Sequence, residues 1–101
     1  MYVSRLSFNT VPGKGHEAGD RLGELASMIE RITGARPRVL RTHFGALGEA
    51  DFELEQDVAT LADLEAGLQR VTANEEFRHW SANFSTLLLR SPQRQILEKL
   101  A

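Results

Sequence analysis

The stretch RTHFGALGEADFELEQD, residues 41–57, has the pattern of a strand, a turn and a second strand. Gly45 and Gly48 mark the turn, and the side chains on either side of it alternate in character, which is typical of a β-hairpin. Because side chains two positions apart on a strand share a face, one face of this hairpin is predicted to be apolar and the other charged. The charged face carries both acidic and basic side chains, so the question is what this face contacts.

Three predicted strands together give a sheet whose two faces differ in composition. With a short turn at residues 45–49, Arg41 is expected to lie opposite Glu53. The same register puts His43 opposite Asp51, and such opposite-charge pairs contribute about 0.2–1 kcal/mol each. The apolar face is predicted to pack under helices through Leu6, Phe8, Leu40, Phe44, Phe52 and Leu54. The polar face is predicted to carry Val3, Arg5, Ser7, Asn9, Val39, Arg41, His43, Asp51, Glu53 and Glu55.

The first half of the chain has one further strand pattern and one helix pattern. Residues 2–9 alternate like a strand, and Pro12-Gly13 interrupts the alternation. Apolar residues then recur at helical spacing over 16–33, which predicts an amphipathic helix. Gly34 follows directly and is a typical helix stop.

The second half of the chain contains two further helix patterns and a short apolar run. Thr60 is the predicted N-cap of one helix, and Asn74 is the predicted N-cap of the next. LLLR, residues 87–90, is predicted to form the last strand. The tail 93–101 is too apolar to stay free, and it is expected to reach the partner subunit of a dimer.

The predicted order is therefore β–α–β–β–α–β over a single domain, residues 1–101. This is an α+β fold of the ferredoxin-like, split βαβ type, with a four-stranded antiparallel sheet and both helices on one face.

Composition excludes several classes of function. The chain has no cysteine, which excludes disulfides, thiolate nucleophiles and cysteine-ligated metals. Its formal charge is −2 and its basic residues are scattered, which argues against nucleic acid as a partner. The N-terminus alternates like a strand rather than like a signal peptide, and no apolar run is long enough for a membrane span. A cytoplasmic protein is expected.

Two further segments carry a family resemblance. The loop PGKG at 12–15 leads into the first helix, and NEEFRHWSANF at 74–84 opens the last one with acidic and aromatic residues. Together with the element order, they resemble the dimeric α/β-barrel superfamily, near the antibiotic-biosynthesis-type monooxygenases and NIPSNAP-like proteins. The resemblance implies a homodimer that packs sheet against sheet. It also implies a pocket between each sheet and its helices, or at the sheet interface.

The resemblance implies a function and a set of site residues. The implied function is binding of a small organic molecule. The resemblance carries no single reaction, but cofactor-independent monooxygenases of the group act on aromatic or quinol-type substrates, and that chemistry is the candidate activity. His43 is then the candidate catalytic residue. Arg5 and Arg41 are candidates for holding the substrate, and Asn9 and Trp80 for lining the pocket. Haem-degrading relatives place a ligating histidine where this chain has Ser81, so haem is not predicted, and neither is any other cofactor or a metal.

A second interpretation stays open for the same residues. His43 paired with Asp51 would serve structure alone, and Trp80 at helical spacing from Phe77 and Phe84 would serve the core. The chain would then be a non-catalytic dimerisation or stress-response module, and its charged residues would form only a subunit interface.

Overall fold

The computed structural model describes residues 1–101, which form four strands and three helices in the order β–α–β–β–α–α–β. The strands and helices have these bounds: β1 Tyr2–Phe8, α1 Gly15–Thr33, β2 Arg38–Arg41, β3 Phe52–Val58, α2 Leu61–Ala73, α3 Glu75–Phe84 and β4 Gln93–Glu98, with a 3-10 turn at Ser85–Leu87. The sheet order is β2-β3-β1-β4, and every pairing is antiparallel. The predicted ferredoxin-like α+β fold is confirmed.

The central strand β1 fixes which side chains face the helices. Leu6 lies opposite Leu54 on β3 and opposite Arg94 on β4, and Phe8 lies opposite Phe52. Cross-strand partners share a face, so these side chains lie together on the helix-facing side of the sheet. Phe8, Phe52 and Leu54 are buried there, as predicted.

The helices begin and end where local chemistry satisfies their terminal backbone groups. Gly34 ends α1 with a φ of 83°, a left-handed conformation that suits glycine. Thr60 Oγ1 accepts a hydrogen bond of 3.1 Å from the Asp63 amide at the start of α2. Asn74 Oδ1 accepts one of 3.0 Å from the Phe77 amide at the start of α3. All three predicted boundary residues are confirmed, and no helix has the length and apolar character that crossing a membrane requires.

The core lies between the sheet and the helices and contains an aromatic row. Leu22 of α1 is fully buried at its centre. The Trp80 ring stacks between Phe77 and Phe84, with centroid distances of 6.1 Å and 4.5 Å. Phe84 meets Phe8 of the sheet edge-on at 5.6 Å. The structural interpretation of Trp80 as part of the apolar stripe is confirmed.

The predicted facing of β2 is wrong by one residue. Val39 lies opposite Leu54, so Val39 packs toward the core. Leu40 lies opposite Glu53, on the outer side, with 43% of its surface exposed. β2 has only four residues and an apolar side chain at each of these two adjacent positions, so either facing fits an alternating pattern.

The predicted hairpin turn is also too short. Residues 42–51 form a loop between β2 and β3, and Phe44 within it is 90% exposed rather than part of the core. The predicted pair Arg41–Glu53 is therefore wrong. Arg41 lies opposite Phe52, and Arg38 lies opposite Glu55.

The last strand is not at 87–90, as predicted, but at 93–98. Leu88 forms one isolated bridge with Thr10 after the 3-10 turn. Pro92 then precedes β4, whose residues pair with β1 along the opposite edge of the sheet from β2. The tail expected to reach a partner subunit is thus an edge strand of its own sheet. The polar sequence QRQILE gives only a weak strand pattern, because all of its residues except Leu97 are exposed.

Candidate functional site

The outer side of the sheet, away from the helices, carries a continuous set of ion pairs. We call it the charged face. Besides the charged side chains it presents polar and apolar ones at its margins. Its members, by strand register, are Val3, Arg5, Ser7, Arg38, Leu40, Glu53, Glu55, Asp57, Gln93, Gln95 and Leu97.

Two arginines hold three carboxylates at the centre of the charged face. Arg5 Nε lies 2.8 Å from Glu53 Oε2 and 2.7 Å from Glu55 Oε2. Arg38 Nη2 lies 3.1 Å from Glu55 Oε1 and 3.0 Å from Asp57 Oδ1. Glu55 thus binds a different arginine through each of its oxygens. Lys99 Nζ lies 3.7 Å from Asp57 Oδ2, so three cations match three carboxylates and the network balances its own charge without any ligand.

Glu55 is the buried centre of this network, with only 8% of its surface exposed. Burial opposes ionisation of Glu55, but the hydrogen bonds from Arg5 and Arg38 outweigh it and hold the pKa of Glu55 below its usual value. The hydrogen bond from Arg38 likewise lowers the pKa of Asp57. Both carboxylates therefore stabilise the fold in their charged form.

A cavity of about 120 Å³ lies on the other side of the sheet, beneath α1 and α2. We call it the inner cavity. Nine of its 16 lining residues are hydrophobic, so it suits a ligand that is mainly apolar. Its apolar wall comes from both the sheet and the helices and includes Leu6, Leu25, Ile29, Leu54, Val71 and Phe77.

Arg94 is the positively charged residue of the inner cavity. It lies opposite Leu6 and therefore faces the helices, and its Nη1 donates a hydrogen bond to Ser4 Oγ. Ser4 is 2% exposed. Arg94 forms no ion pair with any carboxylate of the chain. Burial lowers the pKa of Arg94, and an arginine nevertheless stays protonated in a protein. The arrangement can bind an anionic group at one end of an apolar space.

Two of the residues predicted for the site lie together, on the charged face. Arg5 and Asn9 both line a polar depression with Arg90 and Gln93. Asn9 Nδ2 donates a 3.2 Å hydrogen bond to the Glu49 carbonyl and so helps to hold the 42–51 loop. Neither side chain lines the inner cavity.

The structure separates the other predicted site residues. Arg41 is exposed in a depression beside His16 and Thr42. His43 is exposed in the loop, and its ring meets Phe44 at 4.5 Å. Trp80 lies between α3 and α1, where its Nε1 donates a 3.1 Å hydrogen bond to the Arg21 carbonyl. These three side chains form no common site.

The predicted pairing of His43 with Asp51 is wrong. Asp51 Oδ2 instead accepts hydrogen bonds from the Thr10 amide at 2.7 Å and from Thr10 Oγ1 at 3.0 Å. The long loop carries His43 past the position opposite Asp51, which Thr42 takes through a backbone hydrogen bond of 3.0 Å. The site residues that sequence reasoning missed are Ser4 and Arg94. The alternation of QRQILE contained the signal, because it places Arg94 and Ile96 on the same face.

Solved structures of other proteins share this architecture. A NIPSNAP domain protein from Burkholderia xenovorans matches with a TM-score of 0.82 at 16% identity, over 100% of this chain and 96% of that one. A candidate antibiotic biosynthesis monooxygenase from Nitrosomonas europaea matches with a TM-score of 0.74 at 17% identity, over 100% of both chains. A mutant of SnoaB, a cofactor-independent oxygenase from Streptomyces nogalater, matches with a TM-score of 0.67 at 15% identity, over 99% of this chain and 94% of that one.

The chain has the fold of the NIPSNAP and antibiotic-biosynthesis-monooxygenase proteins. The resemblance noted in the sequence is thus confirmed at the level of fold. No protein-family model matches the sequence, and a search of curated proteins finds no relative. At these identities the likeness establishes the NIPSNAP-type fold, and the activity must be argued from the site.

Replacing Glu55 with glutamine tests the ionic network in this NIPSNAP-type fold. Because the folded-state pKa of Glu55 is lowered, its contribution to stability is present above the ordinary glutamate pKa of about 4.3 and is lost as the pH falls toward the lowered value. We expect Glu55→Gln to lower the free energy of unfolding by about 1–3 kcal/mol at pH 7. We also expect its stability to fall less steeply than that of the wild type below about pH 5.

The measurement is urea unfolding of the two proteins from pH 7 to pH 3. Glu65→Gln, at an exposed glutamate of α2 that forms no salt bridge, is the control and should change stability by less than about 0.5 kcal/mol. Parallel pH profiles for Glu55→Gln and the wild type would contradict the proposed role of Glu55.

Proposed function

We propose that this chain binds a small organic molecule in the inner cavity. The observation that carries the proposal is a partly open, mainly apolar cavity with one unpaired cation, Arg94, at its wall. Binding sites for small molecules have this composition, an apolar lining with a few placed polar groups. The charged face is a poorer candidate, because Arg5 and Arg38 are already neutralised by Glu53, Glu55 and Asp57.

The volume of the inner cavity sets the size of the molecule. At about 120 Å³ it is smaller than the pockets of roughly 300–1,000 Å³ that hold drug-sized ligands. An engineered apolar cavity of about 150 Å³ is large enough to bind benzene. The inner cavity therefore suits a molecule with one ring or a short aliphatic chain.

Filling the inner cavity should abolish binding. Gly67 of α2 lines it, and a Cβ added at Gly67 would meet only Thr33 Cγ2, at 4.0 Å. We expect Gly67→Leu to fold and to gain up to about 1 kcal/mol, because glycine is a poor helix former. We also expect it to lose the rise in Tm that single-ring aromatic compounds give the wild type, since a ligand at a hundredfold its Kd adds about 2.7 kcal/mol.

The matched control is Gly23→Leu on α1. Gly23 is also a helical glycine with open space around its Cβ position, but it does not line the inner cavity. Thermal shift with a panel of neutral and ionised single-ring compounds should give equal responses in Gly23→Leu and the wild type. If no compound raises the Tm of the wild type, binding in the inner cavity is refuted, and the chain is better described as a dimerisation module.

The charged face supports a second proposal, that two copies of the chain associate through it. Its ionic centre is neutralised internally, so covering it leaves no unpaired charge, and Val3, Leu40 and Leu97 offer apolar area around that centre. A single chain of 101 residues buries a modest share of its surface, so association would add to its stability.

Leu40→Glu tests this association. Leu40 is 43% exposed in the isolated chain and lies opposite Glu53, so a glutamate there should leave the subunit folded but place an uncompensated charge in the contact. We expect the mass in solution, measured by light scattering after size exclusion, to fall from that of a dimer to that of a monomer. Leu61→Glu, at the 50% exposed first residue of α2, should remain dimeric. A monomeric wild type would contradict the association.

We further propose cofactor-independent monooxygenase chemistry on an aromatic or quinol-type substrate in the inner cavity. The support is the shared fold with SnoaB, named a cofactor-independent oxygenase. Without a cofactor, the substrate itself supplies the two electrons and two protons. One oxygen atom of O₂ is bonded to a ring carbon of the substrate, and the other oxygen atom leaves as water. Arg94 would stabilise the ionised form of the substrate by its charge. His43 lies outside the inner cavity, so this step includes no role for it.

The reaction is tested with hydroquinone and isotopically labelled O₂. We expect the protein to accelerate O₂ uptake and to give a product that carries one labelled oxygen atom, and we expect Gly67→Leu to give the uncatalysed rate. Equal rates with the wild type and Gly67→Leu would refute the oxygenase proposal without affecting the binding proposal.

A further inference from the structure

We propose that the molecule held in the inner cavity is a carboxylate with a single ring or a body of similar size, and that Arg94 binds its carboxylate group. This inference rests on the proposed binding function and adds the chemical class of the ligand. It concerns a residue and a contact that the sequence did not predict.

The position of Arg94 suits an anion that enters from solvent. β4 is an edge strand, and the Arg94 residue as a whole is exposed, so an anion can reach its side chain. Nη1 is hydrogen-bonded to buried Ser4 Oγ at the sheet, which orients the guanidinium. A guanidinium has five N–H donors in a planar fork, so one bond to Ser4 leaves donors for a two-point contact with a carboxylate.

Arg94 differs from the arginines that this fold uses for structure. Arg5 and Arg38 each contact two carboxylates, and the hydrogen bonds that they donate to carboxylates raise the pKa of both arginines. Arg94 has no carboxylate partner, and burial lowers its pKa. A partly desolvated charge without a counter-ion costs free energy, and an anionic ligand would remove that cost.

The one acidic residue on the cavity wall, Asp63, is not paired with Arg94. Asp63 also lines a neighbouring depression, together with Asp57 and Arg70, whereas Arg94 does not line it. Asp63 and Arg94 form no salt bridge. Arg94 is therefore free to bind a carboxylate of a ligand.

The apolar part of the ligand follows from the remaining wall. Leu6, Leu25 and Leu54 give the cavity an apolar wall that neither accepts nor donates a hydrogen bond. The same cavity also has polar lining residues, namely Ser4, Thr33, Gln56, Asp63 and Thr72. The volume of about 120 Å³ limits the enclosed part of the ligand to a body no larger than one ring, and the carboxylate would lie outside it at the exposed Arg94.

The test compares each acid with its neutral amide of the same shape. Benzoate with benzamide, and phenylacetate with phenylacetamide, are titrated calorimetrically into the full chain in a buffer free of competing carboxylates and phosphate. We expect at least one acid to bind roughly tenfold to a hundredfold more tightly than its amide, which is the advantage of hydrogen bonds to a charged group. In Arg94→Gln that ratio should fall to about one, while the amide keeps its affinity.

Arg90→Gln is the matched control. Arg90 is an exposed arginine four residues earlier that forms no salt bridge and lines the depression on the charged face. The Arg90→Gln variant should keep the wild-type ratio of acid affinity to amide affinity. Arg94→Lys retains the charge without the fork and should give an intermediate ratio, which separates loss of recognition from loss of folding.

The outcomes distinguish the inference from the function on which it rests. If the amides bind the wild type as tightly as the acids, the carboxylate inference is overturned and binding in the inner cavity stands. If the acids bind but Arg90→Gln rather than Arg94→Gln removes the preference, Arg94 is not the receptor. If neither acids nor amides bind the wild type, the proposed binding function falls as well.

Discussion

The fold depends on the register of β1, which pairs with two strands at once. Leu6 lies between Leu54 and Arg94, and its neighbour Arg5 lies between Glu55 and Gln95. One residue of slip on either side would turn a carboxylate toward the core or Arg94 toward the charged face. Both surfaces with a proposed role are consequences of this single alignment, and the packing of α1 and α2 over the apolar side maintains it.

The two sides of β1 use arginine in opposite ways. On the charged face, Arg5 and Arg38 surround Glu55 and leave no charge for a ligand to neutralise. On the helix side, Arg94 is hydrogen-bonded to Ser4 and has no carboxylate. The charged face, with its arginines already paired, is suited to being covered by another protein surface. The arrangement on the helix side favours a site that selects small anions, because a charge in a partly dry space gains most from a counter-ion.

The sequence alone predicted those strands and helices in which apolar and polar residues follow a clear pattern. The stripe of α1, the caps Thr60 and Asn74 and the facing of β3 all follow from local patterns that tertiary packing reinforces. The facing of β2 did not follow, because adjacent Val39 and Leu40 fit either side of an edge strand. Arg94 was missed for a related reason. Its strand is recognisable mainly through its pairing with β1, a contact between residues about ninety positions apart.

A crystal structure of the chain grown with benzoate tests the account most directly, since it reports the register, the cavity and the ion pairs together. The account predicts benzoate oxygens within about 3 Å of the Arg94 guanidinium nitrogens. It also predicts the ring between Leu25 and Leu54, and an intact contact of Glu55 with Arg5. An empty inner cavity with benzoate bound at Arg41 or Arg90, or a β4 that turns Arg94 to the charged face, would contradict it.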